Sequence, residues 1–454
     1  MNRRLFLHAL ALAAAASACP GVAAAARRAG KKTADTAQKA AAAPSGPPGT
    51  PGAAPDSGPA PARLVVIFLR GGVDGLSVLP PYGDDFYLLA RPTTALPPPG
   101  TPGGALPLAD GVGLHPSLAP LVGDFTAGRL AFVQGVGVTE RVREHAKAQR
   151  IMEAGAAGTS GLAGDLAGGW LNRLALELAP APDPKAAPDR TVRAVFATPR
   201  RPLILTGKAP SANVPPGRYV YPMDAAALPD VTDLDAVLAR AYAAKGVPAV
   251  LTRAFREGVA QRRSRLAALA TEINASCADD PPVSRFPELA GRLAAEMVRK
   301  PELRLGFMAF GGFDTHVRQG AAEGRLPQAL AQTAKGLRAL ADGLGAGFAR
   351  TVVVVLSEFG RSLGENSLGG TDNGHGGLMW LFGGPVAGGR FYGQAASLSG
   401  RRLYRERLLP VTLDYRQPLA AVARGHLGLS EEAAARVFPG LAPVASPETY
   451  LAQK

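Results

Sequence analysis

Six apolar runs set the rhythm of this chain. Leu64-Val65-Val66-Ile67-Phe68-Leu69 is apolar at every position, rich in β-branched residues, and stops at Gly71-Gly72. A strand buried on both faces, as in a parallel sheet, reads this way. Leu130–Gln134, Arg193–Phe196, Leu305–Phe310, Val352–Leu356 and Leu378–Phe382 repeat the signal. Between them the period changes. Leu251, Phe255, Val259, Leu266, Leu269 and Ile273 fall at near-helical spacing, and Leu326, Leu330, Leu337, Leu340 and Leu344 mark a clearer amphipathic helix leading into the Val352 run. Strand, helix, strand in that order predicts an α/β fold with right-handed crossovers. The expectation is a mostly parallel central sheet flanked by helices, one large domain over residues 63–454 with long loop insertions.

Composition narrows the picture. The chain has 454 residues, 47% hydrophobic and 19% charged, enough to bury a sizeable core. Gly (55) and Pro (41) are abundant without a Gly-X-Y period, which excludes collagen. The net charge is +14, but residues 1–62 alone contribute +5, from seven Lys/Arg against Asp35 and Asp56. Only Arg262, Arg263 and Arg265 cluster elsewhere, and a solvated helix face explains them better than nucleic acid, which no concentrated basic surface favours.

The N-terminus reads as an export signal over residues 1–26. Arg3 and Arg4 form a basic start, Leu5–Ala18 is an apolar run, and Val22–Ala26 offers a small-residue cleavage stretch. The run falls short of the roughly 20 residues that cross a bilayer, so no transmembrane span is expected. Asn2-Arg3-Arg4-Leu5-Phe6-Leu7 resembles a twin-arginine signal, which implies passage through that export machinery already folded, to the periplasm or the exterior. Cys19 is an alternative lipid-attachment point, although the usual leucine three positions earlier is missing. Removing the signal leaves Cys277 without a disulfide partner. Residues 27–62 read as a tether: residues 41–62 hold seven Pro, seven Ala and four Gly and no apolar period.

Chemistry in open α/β sheets gathers beyond the carboxyl ends of the strands. After the first run come Gly71-Gly72-Val73-Asp74-Gly75. After the fourth come Asp314 and His316, two apart and so on one side of an extended backbone, a pairing that suits a divalent metal such as zinc or an acid–base pair. After the fifth come Glu358 and Arg361, which could also form a structural bridge. His375 sits in a glycine-rich loop with little apolar surface to pack on, and Glu144-His145 opens a helix whose start could hold an anion. Of the six histidines, His145, His316 and His375 lie in these segments; His115 and His426 read as structural or surface residues.

These segments resemble the exported bacterial family catalogued as domain of unknown function 1501, placed in the alkaline phosphatase and sulfatase superfamily. The resemblance covers residues 63–442. It rests on Gly71–Gly75, Arg91-Pro92, Gly169-Trp170-Leu171 with Arg173, Phe313-Asp314-Thr315-His316 with Gln319, Ser357–Arg361, Asn366, and Gly370-Thr371-Asp372 followed by His375-Gly376. It implies an alkaline phosphatase-like fold and one or two divalent metals beside a hydroxyl or thiol nucleophile. Carried over by position, Asp74, Asp314, His316, Glu358 and His375 are the implied metal ligands. Two departures matter. The family commonly has Ser-His where this chain has Glu144-His145, and His after Gly-Thr-Asp where this chain has Asn373.

Two functions follow as expectations. The first is an exported metal-dependent hydrolase of phosphate or sulfate esters, small or polymeric, with Glu144, His145 and Arg361 as its catalytic residues. Without the serine, attack by water activated on the metal is the simplest route, with Glu144 or His145 as general base; Thr139 and Ser77 are outside candidates as nucleophiles. The second is a non-catalytic binding protein of the cell envelope on the same fold.

Overall fold

The computed structural model describes residues 60–158, 168–180, 189–217, 239–244, 247–261, 280–399, 403, 407–442 and 450–453. The export signal, all but the last three residues of the tether, Cys19, Cys277, the Arg262–Arg265 cluster and the second half of the Leu251–Ile273 helix lie outside them. Gly58–Lys454 forms one compact unit.

Among the described residues the strands run β1 (Arg63–Leu69), β2 (Leu106–Ala109), β3 (Val112–Leu114), β4 (Leu130–Gly137), β5 (Ala194–Phe196), β6 (Ser211–Asn213), β7 (Leu305–Phe310), β8 (Thr351–Leu356), β9 (Arg361–Glu365), β10 (Thr371–Asn373), β11 (Gly377–Phe382), β12 (Arg390–Gly393) and β13 (Leu413–Asp414). Nine of them build a central sheet in the order β12-β4-β11-β8-β1-β7-β5-β6, with β13 also paired to β4. β11 is antiparallel to both of its neighbours and every other pairing in this sheet is parallel. β1 is central, with Leu64 opposite Leu305 on one side and Val352 on the other.

The unbroken apolar runs follow from burial on both faces. Leu64, Val66 and Phe68 of β1 join one hydrophobic cluster and Val65, Ile67 and Leu69 the other. β8 divides the same way, Val352 and Val354 against Val353 and Val355. Helices His145–Ala154, Trp170–Glu177, Arg416–Leu427 and Glu431–Val437 cover the first face. Helices Phe286–Arg299 and Arg325–Leu344 cover the second. Their contact is close because position 336 is glycine: a Cβ there would lie 2.3 Å from the Phe286 ring. The fold is therefore α/β with a mostly parallel sheet between helical layers. The leucines predicted for the Arg325–Leu344 helix are all buried. In the described half of the other predicted helix, Leu251 is exposed and Phe255 and Val259 half-buried. The sequence pattern missed β2, β3, β6, β12, β13 and the β9–β10 ribbon, which are all short.

The carboxyl edge of the sheet is held by a buried polar knot around Asp74. Arg91 donates to both of its carboxylate oxygens at 2.6 and 3.0 Å. Ser77 Oγ and Gln319 Nε2 add bonds of 2.8 and 2.6 Å. Arg91 continues to the carbonyls of Ser362 and Leu363. Gln319 Oε1 accepts from Thr315 and Thr371. The knot thus ties the ends of β1 and β7 to the β9–β10 ribbon. Burial alone would raise the Asp74 carboxyl, but the Arg91 charge and the bonds from Arg91, Ser77 and Gln319 outweigh it and hold the group below its ordinary value.

A depressed folded-state pKa contributes stability that is present above the unfolded value, about 3.9, and is lost as pH falls through the folded one. Asp74→Asn strands the buried Arg91 charge and should cost about 3–5 kcal/mol near neutrality. Its stability should then fall less steeply than that of the parent as pH drops below about 4. Urea unfolding across that range measures both; equal slopes would show that the knot does not govern acid stability.

Candidate metal centre

Five segments meet at the carboxyl edge for topological reasons. β1, β7 and β8 are adjacent and parallel, so Gly71, Asp314 and Glu358 leave the sheet side by side. β4 points the same way and delivers the His145–Ala154 helix. β11 runs the other way, so the loop before it, with Asp372 and His375, arrives at the same edge.

Glu358 is the organising carboxylate. Its Oε1 accepts from Gly71 N, Gln149 Nε2 and His145 Nδ1, each at 2.8 Å, and its Oε2 accepts from Ser357 Oγ at 2.8 Å. Burial opposes the charge, but His145, through its bond and its charge, and Gln149 override it and push the carboxyl down to about 2. His145 is pulled down by burial and lifted more strongly by its bond to Glu358 and by the charges of Glu358 and Asp314, so its net shift is upward.

The His145 ring thereby turns Nε2 away from Glu358 and towards Asp314 Oδ2, 3.5 Å away. His316 is arranged alike. Its Nδ1 faces Asp372 Oδ1 at 3.4 Å and its Nε2 lies 3.2 Å from Asp314 Oδ1. The His316 bond, despite partial burial, holds the Asp372 carboxyl well below its usual range, with Asn366 assisting. Asp314 spends Oδ1 on Arg361 Nη2 at 2.5 Å. His145 Nε2, His316 Nε2 and Asp314 Oδ2 are buried and have no hydrogen-bond partner. One ligand atom from each of these residues lies within 4.8 Å of the other two. With a carboxylate on each Nδ1, both rings can carry the proton there and present the Nε2 lone pair, the arrangement of carboxylate-backed metal ligands.

The other expected site residues take different places. Asp74 is spent on Arg91, Ser77 and Gln319. Glu358 backs His145 from behind. His375 is nearly buried at the same edge but is not among the converging donors; burial, then Arg141 and Arg143, lower its pKa. Arg361 is fully buried and engaged by Asp314 and by the carbonyls of Gly71, Gly72, Phe313 and Thr371. Its carboxylate partner is therefore Asp314, where a bridge to Glu358 was the alternative. Glu144 is exposed at the N-cap of the His145–Ala154 helix and makes no side-chain cap bond. Asn373 meets Arg143 through bonds between each side chain and the other's backbone carbonyl. Ser77 Oγ donates to Asp74, and Thr139 Oγ1 reaches the Ala157 carbonyl.

Sequence reasoning gave His145 a base's role, left Asp372 without a role although it stands in the Gly-Thr-Asp motif, and passed over Gln149. His145 and Gln149 lie four apart on one buried helical face, a spacing that could have linked them.

None of the curated proteins matches this chain in sequence. Among solved structures, the fold is similar to that of a protein named Ps i-CgsB in complex with k-i-k-neocarrahexaose, with a TM-score of 0.40 and 11% identity over 82% of this chain and 74% of that one. The structure of Ps i-CgsB alone gives a TM-score of 0.38 at the same identity and coverage. The family described as "Protein of unknown function (DUF1501)" matches residues 61–439, and the chain belongs to that family.

Proposed function

We propose that the protein is an exported metal-dependent hydrolase of phosphate or sulfate esters, on an alkaline phosphatase-like fold, in which water replaces a side-chain nucleophile. The observation that carries this reading is the trio of buried, unbonded donors on His145, His316 and Asp314. Leaving such atoms unsatisfied costs about 1–3 kcal/mol each, so the site fits a divalent cation. Two imidazoles and one carboxylate suit zinc and leave coordination positions open, as catalytic rather than structural sites do. When bound, the ion supplies Lewis acidity towards an ester oxygen and lowers the pKa of water.

The chain's own residues do the rest. Glu358 and Asp372 keep a proton on each Nδ1, so that Nε2 stays free to donate. Arg361 fixes one oxygen of Asp314 and leaves the other available. Glu144, exposed one residue before His145, is the carboxylate we assign as proton acceptor. Arg141, Arg143 and His375 lie close enough to one another for both arginines to depress the histidine, and their positive charge attracts an anionic ester. A second reading, a metal-holding binding protein without turnover, is favoured by Glu144 at the N-cap of the His145–Ala154 helix, where the family commonly has serine, so that no hydroxyl stands there to attack.

Metal analysis and zinc titration of the full-length protein, recovered from a native-type host, should find about one equivalent, the number one three-donor cluster can hold. His316→Ala should abolish tight binding while the fold survives; Asp314→Asn should abolish it too, but at a cost in stability, because it takes from buried Arg361 its carboxylate partner. Chelator-sensitive hydrolysis of p-nitrophenyl phosphate or sulfate supports the hydrolase; metal binding without turnover supports the binding protein, and absence of both ends the metal reading.

Glu144→Ser tests the charge beside His145. The Glu144 carboxylate repels an anion while still attracting a metal. Removing it should tighten phosphate binding about threefold to tenfold, the size of one exposed charge interaction of ~1 kcal/mol, as measured by calorimetry. Unchanged affinity would put residue 144 outside any anion site.

Export is proposed from residues 1–26 alone. No helix among the described residues is long and apolar enough to cross a membrane. Arg3→Lys with Arg4→Lys should trap the protein in the cytoplasm, as read by fractionation; undiminished export would end the twin-arginine route.

A further inference from the structure

Behind His145 runs a chain of buried hydrogen bonds that leads away from the metal donors. Arg70 Nη1 donates to Gln149 Oε1 at 2.8 Å, Gln149 Nε2 donates to Glu358 Oε1 at 2.8 Å, and that same oxygen accepts from His145 Nδ1 at 2.8 Å. Arg70 is itself held by Glu153 at 2.7 Å and by Asp280. Glu153 is anchored in turn by the Ile204 amide at 3.0 Å. Arg70, Gln149, Glu153, Glu358 and His145 are each less than 9% exposed.

The chain has a direction. A carboxamide has one acceptor end and one donor end. Arg70 only donates, so it fixes which end of Gln149 faces it, and the NH2 end must face Glu358. Glu358 Oε1 then meets N–H donors from Gly71 and Gln149 on two sides, and the direction left for its third bond is the one His145 Nδ1 occupies. The geometry points to Gln149 as the positioning residue of the site: its amide, oriented by Arg70, pins Glu358 so that His145 keeps its proton on Nδ1 and presents Nε2 to the metal. Its bond runs to Glu358, and its effect on the ring is transmitted through that carboxylate. The proposal rests on the metal reading only for the affinity it predicts; the ring tautomer is a property of the metal-free chain.

Gln149→Glu is the informative substitution, because it nearly preserves shape, keeps an acceptor for Arg70 and loses the donor towards Glu358. Gln149→Leu removes the bonds to Arg70 and Glu358 and serves as the comparison. Zinc affinity of the full-length protein should fall about 10-fold in Gln149→Glu, the lower end of what loss of an outer partner costs a metal site. Nitrogen and carbon NMR of the metal-free protein at pH 9 should show the Nδ1–H tautomer of His145 in the parent and a mixture of tautomers in Gln149→Glu. A purely structural role for Gln149 would lower thermal stability and leave the tautomer alone. An unchanged tautomer in a folded Gln149→Glu protein overturns the proposal. If the parent binds no zinc, the metal reading fails by itself, and the tautomer comparison still decides this one. If Gln149→Glu does not fold, a parent-like tautomer in Gln149→Leu overturns the proposal equally.

Discussion

Asp314 is the constraint on which the site depends. A buried carboxylate must be compensated, and here only one of its oxygens is, by the Arg361 guanidinium. The other faces two imidazole nitrogens that lack partners of their own. The surroundings make this exceptional. Glu358, Asp74, Arg91, Gln319 and Arg361 all lie within a few residues of the cluster in space or sequence and all are satisfied several times over. A fold that satisfies that many buried polar groups and leaves three converging donors unsatisfied has its deficit concentrated where a cation would repay it.

The topology explains why so few residues suffice. Parallel strands deliver their carboxyl ends to one edge, so three neighbouring strands place a glycine turn, an aspartate and a glutamate side by side without any long loop having to search for them. The single reversed strand, β11, completes the set by bringing the loop before it, rather than the loop after it, to that edge. The glycines of the first turn take part in this convergence. Gly71 has φ +114°, and a Cβ there would lie 2.3 Å from the Asp314 amide nitrogen. A side chain at 71 would therefore push the β7 loop, and its aspartate, away from the edge.

Much of this was legible in the sequence, and the reasons it was are physical. A strand buried on both faces must be apolar at every position, so β1, β7, β8 and β11 announced themselves, and the polar residues directly after them were found with them. Asp314 and His316 stood out for the same reason. What was not legible is which atom of each side chain is already spoken for. Arg361 reads as a catalytic residue from its place after β8, yet five acceptors consume it. Asp74 reads as a ligand from its turn, yet Arg91, seventeen residues on, claims both its oxygens. Such pairings depend on where short, irregular segments fold back, and neither period nor spacing encodes that. His145 was seen as chemistry but not as a ligand, because its partner Glu358 is 213 residues away.

The two histidines of the site are not equivalent, and the difference bears on how it works. His145 is backed by a fully buried glutamate that is itself fixed on both oxygens. His316 is backed by Asp372, whose side chain is 47% exposed and which Asn366 steadies at 3.0 Å. Asn366 also donates to the His316 carbonyl and accepts from the amides of Leu368 and Gly370, so the loop that carries Asp372 folds around it. A hydrogen bond to a buried charge is worth more than one shared with water, because the competing solvent is absent. His145 is therefore oriented by the core of the protein, whereas His316 is oriented by a loop that water reaches. Any adjustment of the site to a ligand is cheapest on the His316 side: the His145 end is the fixed post, and the loop from Asn366 to Asp372 sets how firmly the other end is held.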